Sequence, residues 1–93
     1  MKALLLAAAL ANHDPAVGWP PPARYDHYYP GQLIVQMVDP STFVRYCGRN
    51  AEACSFPRGA QCLVILPQGS PYVANLLRHE RGHCNGWGRD HED

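Results

Sequence analysis

The chain has 93 residues, with eight Lys plus Arg against eight Asp plus Glu and a formal net charge of zero, which bounds it to one small domain. No five-residue block of one sign occurs, so a nucleic-acid partner is not expected. No apolar run reaches the roughly 18 residues that a membrane-crossing helix requires.

At the start, Lys2 precedes an apolar stretch that ends in Ala9-Leu10-Ala11, the small-x-small pattern of signal cleavage. Residues 1–11 therefore read as a signal peptide, which predicts a secreted or periplasmic protein. What remains is so short that a core alone would supply about 3–5 kcal/mol, and staples are expected. Cys47, Cys54, Cys62 and Cys84 form an even set, which reads as two disulfides with three connectivities open. The closeness of Cys47 to Cys54 favours a local loop, leaving Cys62 to reach the segment around Cys84. Zinc ligation by thiolates would call for a C-x2–4-C pair, and there is none.

Residues 12–31 hold more than half of the nine prolines together with Trp19, Tyr25, Tyr28 and Tyr29, and they read as an extended arm whose aromatics pack on the domain. His13 and His27 lie in this arm and are expected to face solvent. The folded domain is predicted over 32–93. Leu33 to Val38 is β-branched, apolar and closed by Asp39-Pro40, which predicts a buried strand. Residues 42–46 read as a second strand, 48–59 as an irregular loop containing Cys54, and 62–66 as a third strand stopped by Pro67. Residues 62–66 are also the segment from which an edge strand holding an extended peptide is expected.

A helix follows, predicted from about Pro71 to Cys84. Ser70 is a suitable N-cap, Pro71 fits the first helical position, and Gly86 stands past the last turn. The expected fold class is therefore α+β, a small sheet packed on one helix, with a Pro-rich arm and disulfide staples.

The end of that helix carries the chemistry. His79-Glu80-Arg81-Gly82-His83 fits H-E-x-x-H, and random order of this composition gives the pattern only about 1% of the time. Positions i and i+4 lie one turn apart on one face, so two imidazoles can share a metal ion, while Glu80 lies beside that face as a candidate general base.

The segment His79-Glu80-Arg81-Gly82-His83-Cys84-Asn85-Gly86-Trp87 resembles the active-site helix and exit of zincin metallopeptidases, with H-E-x-x-H-x-x-G. It also looks like short exported bacterial proteins with an H-E-x-G-H-C-N-G-W…D-H ending. The resemblance covers residues 79–91 and implies a zinc ion on His79 and His83, Glu80 as general base, and a chain that turns back at Gly86 toward a third ligand. The metzincin spacing would place that ligand at Arg89, which cannot bind a cation, and no methionine follows the site. His91 is the expected substitute, with Asp90 as its orienting partner or an alternative ligand and Glu92 a further one. Cys84 is expected in a disulfide rather than on the metal.

The function expected from these residues is zinc-dependent amide hydrolysis of a peptide or protein substrate, with Tyr72, an arm tyrosine or Arg89 as oxyanion donor and a partner protein able to complete the cleft. The alternative is a non-catalytic zinc-binding, disulfide-rich secreted interaction module.

Overall fold

The structure, a computed structural model, describes residues 20–92. The expected signal peptide and His13 lie outside these residues. The described chain is α+β: three strands, two α-helices and two disulfides. Among the described residues no helix is long and apolar enough to cross a membrane.

Strand β1 spans Gln32–Val38 and runs parallel to β3, Gln61–Pro67, while β2, Cys54–Arg58, pairs antiparallel with β3. The sheet order is β1-β3-β2. This corrects one expectation, because residues 62–66 are the centre of the sheet and both of their edges are occupied. β2 and β1 are the edge strands instead.

Three further expectations are overturned. The strand over 33–38, expected to be buried, has no buried residue, because α2 lies over β3 and β2 and α1 packs on β3. Residues 42–46 are not a strand but part of helix α1, Pro40–Cys47. The Asp39-Pro40 pair that closes β1 also starts a helix. Asp39 accepts a hydrogen bond from the Thr42 amide at 2.8 Å, and Pro40 needs no partner for a missing N–H. That cap outweighs the strand preference of Thr42, Phe43, Val44 and Tyr46, and the helical period turns Phe43 and Cys47 to the same side. The stretch expected as loop, 48–59, contains β2. Its Pro57 is tolerated because β2 is an edge strand. The β2–β3 hairpin has the two turn residues Gly59 and Ala60, with Gly59 at φ +59°, the positive value that a II′ turn needs at its first position.

Register fixes what each face carries. Leu33, Val35 and Met37 of β1 stand opposite Cys62, Val64 and Leu66 of β3, with Ser55 and Pro57 of β2 on the same side. Helix α2, Val73–Cys84, covers this face over β3 and β2, burying Leu76 and Cys84 against Cys62, Val64 and Leu66. Each fully buried aliphatic side chain here is worth about 1.5–3 kcal/mol. The opposite face carries Ile65, with α1 and its buried Phe43 packed on β3. The disulfides follow the same division: Cys47–Cys54 joins α1 to β2, and Cys62–Cys84 joins the central strand to the last residue of α2.

Helix α2 begins two residues later than expected. Ser70 Oγ accepts the Tyr72 amide at 3.1 Å, and Ser70 with Pro71 forms a turn ahead of the helix.

Candidate metal centre

Three elements meet at the C-terminal end of α2: the helix, the arm and the tail after Gly86. The described part of the arm, from Pro20, crosses the helix with a 3-10 turn at Ala23–Tyr25. Pro21 lies so close to Gly82 that a Cβ on that glycine would stand 2.5 Å from the proline ring and 3.2 Å from the Trp87 indole. The fourth residue of the motif is therefore glycine for a steric reason. Asn85 donates to the carbonyls of Tyr25 at 2.9 Å and His27 at 2.7 Å. Asp26 takes a two-pronged pair of bonds from Arg78 and lies 3.6 Å from Arg81, and these guanidiniums hold its carboxyl below the usual range. Tyr29 packs against the core, Tyr25 stands beside Gly86, and Tyr28 and His27 are exposed.

Past the helix, Gly86 takes φ +111°, a conformation open to glycine at little cost, and the chain reverses. The Trp87 amide donates to the Gly82 carbonyl at 3.0 Å, its indole N–H donates to the Glu92 carbonyl at 3.0 Å, and the His91 amide donates to Gly88 at 3.0 Å. These bonds fold residues 86–92 back over the helix. His91 itself sits at φ +61°, a left-handed conformation that a non-glycine residue holds only when its surroundings fix it.

The result is a convergence of His79, His83 and His91. His79 Nε2 lies 3.1 Å from His91 Nε2 and 3.3 Å from His83 Nε2. Nitrogens at 2.0–2.1 Å from a tetrahedral ion stand about 3.3 Å apart, so both of these spacings are those of neighbouring ligands on one metal, and the three ligand nitrogens all lie within 4.8 Å of one another. His83 Nδ1 lies 2.8 Å from the Trp87 carbonyl, which can only accept, so that nitrogen carries the proton and Nε2 presents its lone pair. Three imidazoles so placed can bind a metal ion.

Trp87 closes one side of this group. Its ring is parallel to that of His83 within 13° at 4.8 Å and edge-on to His79 and His91, each at 4.9 Å. Its sequence position signalled only the motif's exit; the ring packing and the carbonyl acceptor are products of the turn at Gly86.

Glu80 sits one residue around the helix, only 7% exposed, and faces β2, where Ser55 hydrogen-bonds it. Burial raises its carboxyl above the ordinary value, against the pull of His83 and Ser55. Ser55 had no signal in the sequence, since its role depends on the pairing of β2. The remaining candidates fall outside the cluster. Asp90 is exposed and accepts the Glu92 amide at 3.3 Å, Glu92 lends its carbonyl to Trp87, and Cys84 is in the disulfide. Tyr72 and Arg89 are exposed, and Tyr25 is the arm tyrosine beside the helix exit.

This small disulfide-bonded α+β domain with a three-histidine cluster matches no known family model, no curated protein and no solved structure.

Proposed function

We propose that this chain is a zinc-dependent hydrolase, a small metallopeptidase-like enzyme of the kind its H-E-x-x-H-x-x-G segment resembles. His79, His83 and His91 hold the zinc ion and Glu80 is the general base. The observation that carries the reading is the gathering of three histidines, with His79 Nε2 at 3.1 Å from His91 Nε2 and 3.3 Å from His83 Nε2, and the buried carboxylate of Glu80 on the helix that carries His79 and His83. Three nitrogen ligands leave a fourth position open, the arrangement of catalytic rather than structural zinc.

A bound zinc ion would supply Lewis acidity, the chemistry that activates water and polarises a substrate carbonyl. The chain's own residues do the rest. The Trp87 carbonyl keeps His83 in the tautomer that ligates, and the Cys62–Cys84 bond fixes the helix end against the sheet. Glu80 takes a proton from the attacking water and hands it to the departing amine, with Ser55 orienting its carboxylate. The substrate class that this chemistry takes is a peptide or protein amide. Two disulfides suit an oxidising compartment, and we place the protein outside the cytoplasm.

One observation favours the second reading, a non-catalytic zinc-binding interaction module: Glu80 is buried on Ser55 rather than open to solvent. A quenched-peptide library separates the two. The hydrolase reading expects cleavage by the zinc-loaded protein, with Glu80→Gln retaining zinc and losing about 100-fold or more in kcat. A zinc-loaded wild type with no activity above that of Glu80→Gln would leave the interaction module.

A further inference from the structure

The two disulfides differ in what they hold. Cys47–Cys54 is half-buried and joins α1 to β2, with Cys54 on the side of the sheet opposite α2. Cys62–Cys84 is buried, with Cys62 at 0% and Cys84 at 8% exposure, and it bonds the central strand to the residue that follows His83.

The last turn of α2 depends on this second bond for its place on the sheet. Past Leu77 the helix is tied to the strands through Glu80, which Ser55 hydrogen-bonds, and through Cys84. Glycine is the poorest helix former after proline, and Gly82 stands in this turn. His83 lies between that glycine and the bonded cysteine. The turn also supplies the Arg81 and Gly82 carbonyls that receive the Asn85 and Trp87 amides, so the tail that returns His91 starts from it. Two of the three histidines thus take their positions from one turn that a covalent bond pins to β3.

Resting on the reading of the three histidines as a zinc site, we propose that the Cys62–Cys84 pair gates that site: the chain holds zinc tightly in the disulfide form and weakly in the dithiol form. The gate is worked by an external dithiol/disulfide couple. A reducing thiolate attacks one sulfur of the bond, forming a mixed disulfide and releasing the other cysteine, and the second thiol of the reductant then displaces the first. Two electrons and two protons pass to the cysteines and the reductant leaves as its disulfide; oxidation is the reverse. The buried sulfurs are reached when the last turn opens, and that opening takes His83 away from His79 and His91. A shared ion opposes it. By linkage, the factor that the disulfide adds to zinc affinity is the factor that zinc adds to the disulfide's resistance to reduction. A chain in a reducing compartment therefore stays poor in metal and loads once the bond has formed.

The test uses the full chain as wild type and as Cys47→Ser/Cys54→Ser, in which Cys62–Cys84 is the remaining bond. Zinc affinity is measured by chelator competition for the oxidised form and, without oxygen, for the form reduced by a phosphine that is then removed. The dithiol form should bind about tenfold or more weakly, and zinc should shift the thiol–disulfide ratio in glutathione buffers toward the disulfide by the same factor. Amides of 81–92 should exchange faster in the dithiol form while those of the sheet stay protected, which separates release of the turn from general unfolding. The wild type, with both bonds, gives the same comparison without substitution. Equal affinity in the two forms, tighter binding by the dithiol form through its thiolates, or loss of protection across the sheet overturns the gate and leaves the zinc reading standing. An oxidised protein that takes up no zinc overturns the zinc reading and the gate with it.

Discussion

The C-terminal end of α2 and the β1–α1 side of the molecule differ in how their residues are held. At the helix end, arm, helix and tail interlock: Pro21 on Gly82, Asn85 on two arm carbonyls, Asp26 on two arginines, Trp87 against three imidazoles. On the other side, Val35, Met37, Val44 and Tyr46 all remain exposed. The buried core lies between β3 and α2, and the interlocked arm and tail extend it over the helix end, while the outer faces of β1 and α1 stay open. That asymmetry is what a site requiring fixed ligand positions needs.

Substitutions should reveal the same asymmetry. The largest effect is expected for Trp87→Ala, which empties a buried indole site and should cost about 3–5 kcal/mol in denaturant unfolding. Because Trp87 also packs against all three imidazoles, the zinc affinity proposed for them should fall about 10–100-fold in a competition assay with a chelator.

The two disulfides provide a matched pair. Cys62 and Cys84 are separated by 22 residues, and replacing both with Ala should lose about 3 kcal/mol and weaken zinc binding, since the bond holds the helix end that carries His79 and His83. Cys47 and Cys54 are separated by only 7, and the corresponding double replacement should lose about 2 kcal/mol with zinc affinity intact. Equal zinc losses in both would erase the distinction between the two regions.

Gly82→Ala should cost about 1–3 kcal/mol by forcing Pro21 off the helix, whereas Val44→Lys on the exposed side of α1 should stay within about 0.5 kcal/mol. Both can be read from unfolding midpoints.

Asp26 yields a smaller effect than Gly82 and a pH signature. Its folded pKa lies below the ordinary 3.8, so its pairing with Arg78 and Arg81 stabilises fully above that value and is lost as pH falls through the folded one. The Tm gap between wild type and Asp26→Asn should therefore be present at neutral pH and close as the solution is acidified below about pH 4. High salt should narrow it too, because Arg78 is half exposed.

Much of the helix end was legible in the sequence because its rules are local. Spacing of three and four residues puts His79 and His83 on one face, Gly86 marks the reversal, and His91 falls within reach of the returning chain. The rest depended on partners distant in sequence. Residues 42–46 have strand-like side chains, but Asp39 and Pro40 cap a helix, and a single dipeptide served as both strand stop and helix start. β2 has a proline and no clear alternation, so only its pairing with β3 reveals it as a strand. With that pairing come Ser55 beside Glu80 and the central place of β3. Trp87 acts through its backbone carbonyl and its ring faces, neither of which leaves a spacing pattern.

The most direct test of the metal centre is calorimetric titration of zinc into metal-free, oxidised protein, for the wild type beside His79→Ala, His83→Ala and His91→Ala. One zinc per chain in the wild type, with affinity lowered about 100-fold or more by each replacement while the fold persists by circular dichroism, is the predicted result. A folded wild type that takes up no zinc, or one whose binding is unchanged by all three replacements, would contradict the account.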